Sequence, residues 1–442
     1  MYMERDIVRG SIAKSMVAFT IPLILSGMLQ QLFNWVDAFI VGNVEGELAL
    51  AAIGATTALY NLFVMVITGF TGGISVLAAR NYGMGEREAI NRILSTFALL
   101  LGGAFTAVAA LGALLTPAIL RTMDTPADIF SISAGYLRII FAGVPFLAVY
   151  NTYSAVLRGM GNSRAPFLSV LVCSGVNVAL DFLFVAMLRY GAAGAALATV
   201  LSQGVMTLFL VGYTVKKYPM LRFRPGKRDW PTAAEGTRFG LPPAIQAGTN
   251  SVGNIFLQRF MNSFGEQTVA AITTAYRVDS MLLLPVINFS SGIATVVAQN
   301  IGAGKPQRAG QALKTGALMM AGVSLCLTAL ILFAGEFLIG IFGLTPDSVA
   351  IGGTFFRTIA SFYVIYSLAM AARGYLEGTG DMVFSGAAGI TALAVRIVCS
   401  YAFADLFGRQ VIAYAEAFSW VVLLGIYLLR LAWRSRPGQD GP

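Results

Sequence analysis

No histidine occurs in the 442 residues, which removes Ser-His-Asp triads, HExxH zinc chemistry and histidine proton relays. Charge is scarce as well. Only 12% of residues are charged, against about 25% in an ordinary soluble domain, too few to cover a globule in water. The three cysteines, Cys173, Cys326 and Cys399, sit in apolar runs without CxxC spacing; they read as packing thiols, not as disulfides or metal ligands. The GxxxxGK[ST] phosphate loop is missing, so ATP is excluded as a power source by that route. The chain shows no nucleophile–base pair and no carboxylate pair at GxGD spacing, and so does not read as an enzyme.

What is present is apolar: 57% of residues are hydrophobic and 48 are glycine. In a bilayer every backbone polar group must be satisfied within its own segment, so long apolar runs become helices, and small residues let those helices pack. Windows of about 20 residues place spans at 16–41, 48–79, 90–115, 128–156, 166–188 and 191–215, then at 240–263, 268–300, 311–335, 349–372, 383–407 and 410–433. The first run is too long for a signal-peptide core and lacks a clear cleavage site, so it is kept as a helix. With the N-terminus inside, the outer side carries only Arg121, Arg189 and Arg409 of the 30 Lys and Arg; five more lie within spans away from their inner ends, and the rest gather at or beyond inner ends. This asymmetry predicts cytoplasmic N- and C-termini in the inner (plasma) membrane. It also explains the net charge of +9 without nucleic acid. The cluster Lys216, Lys217, Arg222, Arg224, Lys227 and Arg228 is a topogenic loop.

That loop divides the chain into an N-terminal lobe (1–217), a basic linker (218–238) and a C-terminal lobe (239–442). A shift of 219 lays Phe70-Thr-Gly-Gly-Ile74 on Phe289-Ser-Ser-Gly-Ile293 and Asn81-Tyr-Gly-Met-Gly85 on Asn300-Ile-Gly-Ala-Gly304. The same shift lays Leu157-Arg-Gly-Met-Gly-Asn162 on Leu376-Glu-Gly-Thr-Gly-Asp381 and Arg138 on Arg357. An even number of spans per half gives both halves one orientation. The predicted fold is therefore an all-α integral membrane protein with twelve transmembrane helices, in two six-helix lobes related by a pseudo-two-fold along the membrane normal. The paired glycines of these motifs resemble nucleotide fingerprints, but none follows a strand, and turn or C-cap roles are expected.

An aspartate at the bilayer centre costs roughly 2.5–3.5 kcal/mol on insertion scales, which marks intramembrane acids as functional candidates. Asp37 follows Gln30 and Asn34 on one helical face, Asp181 follows Asn177 by one turn, and Thr199 precedes Gln203 by one turn. If they converge, two carboxylates, an amide oxygen and a hydroxyl make a hard, oxygen-rich set for Na+ or for protons. Two carboxylates in low dielectric cannot both ionise cheaply, so cation and proton become alternative occupants. A static interhelical hydrogen-bond network is the competing reading. The 219 shift places Phe256, Arg396 and Ser400 opposite Asp37, Asn177 and Asp181, so the second half lacks this set. Arg396 reads as a structural cation with Glu416 as partner, and Arg138 and Arg357 as organisers of their own lobes. Asp279, beside Arg277, is a candidate second-lobe ligand for a cationic substrate.

At these residues the sequence resembles the multidrug and toxic compound extrusion (MATE) family, its DinF-like branch above all. The resembling stretches are Gln30-Gln-Leu-Phe-Asn-Trp-Val-Asp37 through Gly42, Ala79-Arg-Asn-Tyr-Gly-Met-Gly85, Tyr136-Leu-Arg138, Leu157-Arg-Gly-Met-Gly-Asn162, Asn177-x-x-x-Asp181 and Gly194-Ala-Ala-Leu-Ala-Thr199. The resemblance implies a coupling site for Na+ or H+ at Asp37, Asn177, Asp181 and Thr199, with Tyr136, Asn34 and Gln203 as neighbours. It implies antiport of small cationic or amphipathic compounds by alternating access, with no cofactor beyond the coupling ion. A single chain is expected to suffice among membrane lipids. NorM-like members carry acids on spans 7 and 10; here Asn250 stands at the span 7 position and the interior of span 10 has no acid, which argues against a sodium site of that type. The alternative is a flippase or exporter of lipid-linked or polysaccharide precursors, which needs a wide cationic cavity.

Overall fold

The computed structural model describes residues 7–224 and 229–434, and among them there is no β-strand. Lys227 and Arg228 of the basic linker, together with Arg5 and Arg436 near the ends, lie outside the described residues. The first half contains α1 (Ile12–Glu45), α2 (Glu47–Met84), α3 (Arg87–Thr122), α4 (Ala127–Gly159), α5 (Arg164–Asp181) and α6 (Gly191–Lys217). The second contains α7 (Trp230–Asn262), α8 (Glu266–Leu282), α9 (Leu284–Gly302), α10 (Pro306–Gly340), α11 (Pro346–Ala360), α12 (Tyr363–Gly378), α13 (Met382–Ala402), α14 (Ala404–Phe407) and α15 (Val411–Arg434).

Ten spans are long and apolar enough to cross a membrane, counting α8 with α9 and α14 with α15 as continuous. The pair α11 and α12, bent by 48°, makes an eleventh. α7 is the twelfth, diluted by Arg238, Pro242 and Pro243. Its start is set by Asp229, whose Oδ1 accepts from the Thr232 backbone N–H at 3.1 Å and whose Oδ2 accepts from the Thr232 hydroxyl at 2.9 Å, an N-cap followed by an early proline. The chain is thus an all-α membrane protein of twelve spans.

Two spans read as continuous in the sequence are interrupted. Between α8 and α9 the helix breaks at Leu283, ahead of Pro285, which brings no N–H and crowds the preceding turn. Between α11 and α12 no proline is present; Thr328 of α10 donates its hydroxyl to the Ala360 carbonyl at 2.7 Å, satisfying a group that the break releases. α5 passes into a π-helical turn, Phe182–Met187, immediately after Asp181.

The chain forms two compact units. Ile21–Gly240 make one; the described residues up to Thr20 and from Leu241 onward make the other. Within the second unit, Arg308 Nη2 donates to the Ile7 carbonyl at 3.2 Å, and a Cβ on Gly292 would stand 2.7 Å from Thr20 Oγ1. Within the first, a Cβ on Gly73 would stand 2.1 Å from the Phe239 carbonyl oxygen, so only glycine lets α2 and α7 approach this closely.

The sequence repeat is reproduced in backbone detail. In the first unit, Glu86 N–H donates to the Asn81 carbonyl at 3.0 Å and Asn162 N–H to that of Leu157 at 2.8 Å. In the second, Lys305 N–H donates to Asn300 at 2.8 Å and Asp381 N–H to Leu376 at 2.9 Å. These six-to-one bonds close Schellman-type ends, each built on a glycine with positive φ: Gly85, Gly161, Gly304 and Gly380. The expected C-cap role of the glycine motifs is what the structure shows. Packing repeats too: α4 lies against α2, α3 and α6, as α12 lies against α9, α10 and α15.

Candidate functional site

The predicted acidic set lies wholly in the first unit, on α1, α5 and α6. Asn177 and Asp181 are fully buried at 0% exposure; Thr199 and Gln203 are buried as well. Asp37 is half-buried, and Asn34 is exposed. Helix register brings them together. The Cys173 thiol of α5 lies beside the Ser202 hydroxyl of α6, and Val185, four residues past Asp181, packs with Ala192 and Ala195. Residue numbers rise along one helix as they fall along the other, so the two run antiparallel. One turn on from Cys173 is Asn177 and three residues back from Ser202 is Thr199, which puts the amide and the hydroxyl at one level. Asp37 lies within electrostatic reach of Asp181, and Tyr136 within reach of both.

An apolar layer lies one turn away. Val41, Ala49, Val185, Ala192 and Ala195 form a buried cluster with Tyr136 at its edge. Val41 follows Asp37 by four residues, Val185 follows Asp181 by four, and Ala195 precedes Thr199 by four. All three steps lead toward the α1–α2 and α5–α6 connections, which share one end of the unit: Gly191 lies beside the Glu45 carboxylate, with Glu45 Oε2 3.5 Å from where its Cβ would be. The polar set is therefore roofed by side chains that can neither ligate an ion nor hydrogen-bond water.

Below that roof the polar atoms are conspicuously unpaired. Asp37 Oδ1, both Asp181 carboxylate oxygens, both Asn177 amide atoms and Gln203 Oε1 are buried without a hydrogen-bond partner. Buried polar groups are ordinarily satisfied, and these atoms find no protein partner. Orphaned oxygen donors at low dielectric suit a hard cation or a proton. Gln203 is positioned by donation from Nε2 to the Tyr60 hydroxyl at 2.7 Å. Tyr60 carried no signal in the sequence, being one of 16 tyrosines on an apolar helix. Asn34 shares a helical face with Asp37 and is exposed, whereas Asn177 and Gln203 are buried.

In the second unit Arg396 is paired as expected. Its Nη2 donates to Glu416 Oε2 at 3.0 Å and to the Tyr276 hydroxyl at 2.6 Å, while that hydroxyl donates to the same carboxylate oxygen at 2.7 Å. Asp279, 6% exposed, accepts from the Tyr363 hydroxyl and makes no ion pair with Arg277, which is exposed. Arg357 pairs with Glu336 at 2.6 Å. A further network went unread: Arg373 Nε meets Glu377 Oε1 at 2.7 Å, Ser385 Oγ donates to that oxygen at 2.9 Å, and Arg373 Nη2 reaches Gln246 Oε1 at 3.0 Å. The available signal was the repeat itself, which replaces Arg158 by Glu377 and Asn162 by Asp381.

Comparison with known proteins accords with this architecture. The MatE family model matches twice, over residues 22–183 and 242–402, one copy for each half of the repeat. The chain is 28% identical over 378 residues to the probable multidrug resistance protein YpnP of Bacillus subtilis, covering 86% of this chain and 85% of that one. It is 27% identical to the probable multidrug resistance protein YoeA of the same organism, over 97% of this chain and 96% of that one. The crystal structure of a MATE protein in the bent conformation superimposes with a TM-score of 0.92 at 22% identity, covering 98% of both chains. With two matched repeats, twelve spans and relatives of multidrug resistance over most of its length, the chain belongs to the MATE family, a multi-pass membrane transporter of small compounds and not an enzyme.

Proposed function

We propose that this transporter is a secondary antiporter of the DinF-like branch, extruding cationic or amphipathic compounds in exchange for Na+ or H+. The coupling ion binds among Asp37, Asn177, Asp181 and Thr199. The observation that carries this reading is the set of orphaned oxygens on Asp37, Asn177 and Asp181, buried beneath an apolar layer. Two carboxylates, an amide oxygen and a hydroxyl offer an alkali cation four hard donors, and offer a proton two carboxylates that repel each other.

Ion entry neutralises the site and favours one state of the alternating-access cycle; ion release favours the other. The chain passes from one unit to the other at Thr20–Ile21, beside Pro22, and at Gly240–Leu241, beside Pro242 and Pro243. Prolines inside helices remove a backbone hydrogen bond and permit bending, and these two positions serve as the hinges. A potential of roughly 100 mV supplies about 2.3 kcal/mol per net charge moved, on the order of 50-fold accumulation. The protein works as a monomer in the inner membrane with both termini cytoplasmic. A flippase for lipid-linked pyrophosphates fits less well, because Arg357 and Arg396 are already paired with Glu336 and Glu416.

The test is efflux of a fluorescent cation from proteoliposomes at fixed pH, with and without an opposing Na+ gradient, and then with a pH gradient alone. One of the two gradients drives uphill efflux by the wild type and drives none by Asp37→Asn. Equal uphill efflux by both proteins removes Asp37 from the coupling mechanism.

A further inference from the structure

A groove of about 770 Å³ opens at the N-terminal end of α3, away from the acidic set. Its walls come from the first turns of α3, from Met220 and Arg224 after α6, and from the start of α7 at Asp229, Trp230 and Ala233. Both signs of charge line it: Arg87, Arg92 and Arg224 against Glu88 and Asp229. Arg92 is held to Asp229 at 3.5 Å, whereas Arg87, Arg224 and Glu88 have no ion-pair partner among the described residues. Asn91, also lining the groove, has a side-chain oxygen without a donor.

The groove changes character along its length. Leu99 and Leu100 lie 12 and 13 residues beyond Arg87, a drop of roughly 18–20 Å at the helical rise. They are 55% and 41% exposed. Trp230, 64% exposed, stands at the charged end, where indoles favour the bilayer interface. A charged rim above an apolar wall of this depth matches an amphiphile anchored in the bilayer better than a soluble ion.

We propose that this groove binds one phosphatidylethanolamine molecule. Its phosphodiester lies among Arg87, Arg92 and Arg224, whose guanidiniums suit phosphate oxygens. The primary ammonium faces the exposed Glu88 carboxylate and the Asn91 oxygen, which lacks a protein donor, and the acyl chains descend over Leu99 and Leu100. A phosphatidylcholine headgroup has no N–H to offer these acceptors. A phosphatidylglycerol headgroup brings no positive charge to Glu88.

Native mass spectrometry of the purified full-length chain, titrated with the three lipids at matched acyl chains, tests the assignment. Phosphatidylethanolamine is expected to bind best. The triple variant Arg87→Gln, Arg92→Gln, Arg224→Gln is expected to weaken it by about tenfold or more, and Glu88→Gln to erase its advantage over phosphatidylglycerol. Substituting Arg80, Arg164 and Lys314 by Gln, which removes the same charge outside the groove, should leave binding unchanged. Soluble phosphoethanolamine should not compete, since it lacks the chains. Equal binding of all three lipids, preference for phosphatidylglycerol, equal loss in the control triple, or full competition by phosphoethanolamine each overturns the proposal.

Discussion

Arg396→Gln isolates the energetics of the second unit. The guanidinium is 18% exposed and its partner carboxylate on Glu416 8%, so neither side chain can turn to bulk water. Removing one member of such a pair leaves an uncompensated buried charge and costs about 3–5 kcal/mol. Glu416 then retains one donor among the described residues, the neutral Tyr276 hydroxyl. The double variant Arg396→Met, Glu416→Leu removes both charges and is expected to recover all but about 1–3 kcal/mol, the remainder coming from the orphaned Tyr276 hydroxyl. Adding Tyr276→Phe should bring stability close to wild type. Equilibrium unfolding in mixed micelles reads all three, with circular dichroism confirming helix content. If Arg396→Gln lies within about 0.5 kcal/mol of wild type, the pair is solvated and the low-dielectric argument fails.

Other outcomes follow from contacts given above. Gly73→Ala drives a Cβ into the Phe239 carbonyl and should cost about 1–3 kcal/mol in the same unfolding assay, whereas Gly72→Ala, which meets nothing within 4 Å, should be neutral or slightly stabilising. Val185→Ser opens the apolar roof; passive ion leak into proteoliposomes should rise, and an unchanged leak would mean that the roof is not a barrier. Asp229 is held below the usual carboxylate range by donation from the Thr232 backbone and hydroxyl, with Arg92 adding to it. A depressed carboxylate contributes stability above its unfolded value near pH 4 and loses it as pH falls through the folded one. Protection factors of the amides at the start of α7, taken against the intrinsic exchange rate at each pH, should therefore fall on acidification below about pH 4 in the wild type and show no such fall in Asp229→Asn.

The spans were legible because lipid leaves a long apolar run few alternatives to helix, and even the diluted α7 stood out in the same window at 240–263. The capping glycines were legible for a similar reason: Gly85 and Gly304 recur at one offset, and the offset survives in their backbone bonds. What escaped was set by contacts distant in sequence. The bend after Ala360 has no proline to announce it and is supported by Thr328 from another helix. Membership of the residues before Thr20 in the second unit rests on neighbours such as Gly292 and Arg308. Tyr60 became recognisable only once Gln203 was seen to reach it.

Uphill transport and simple exchange, measured side by side for Asp181→Asn in one proteoliposome preparation, address the ion site most directly. The account predicts that labelled substrate still exchanges across the membrane when no ion gradient is imposed, while gradient-driven accumulation falls to background. Accumulation at the wild-type level would contradict it.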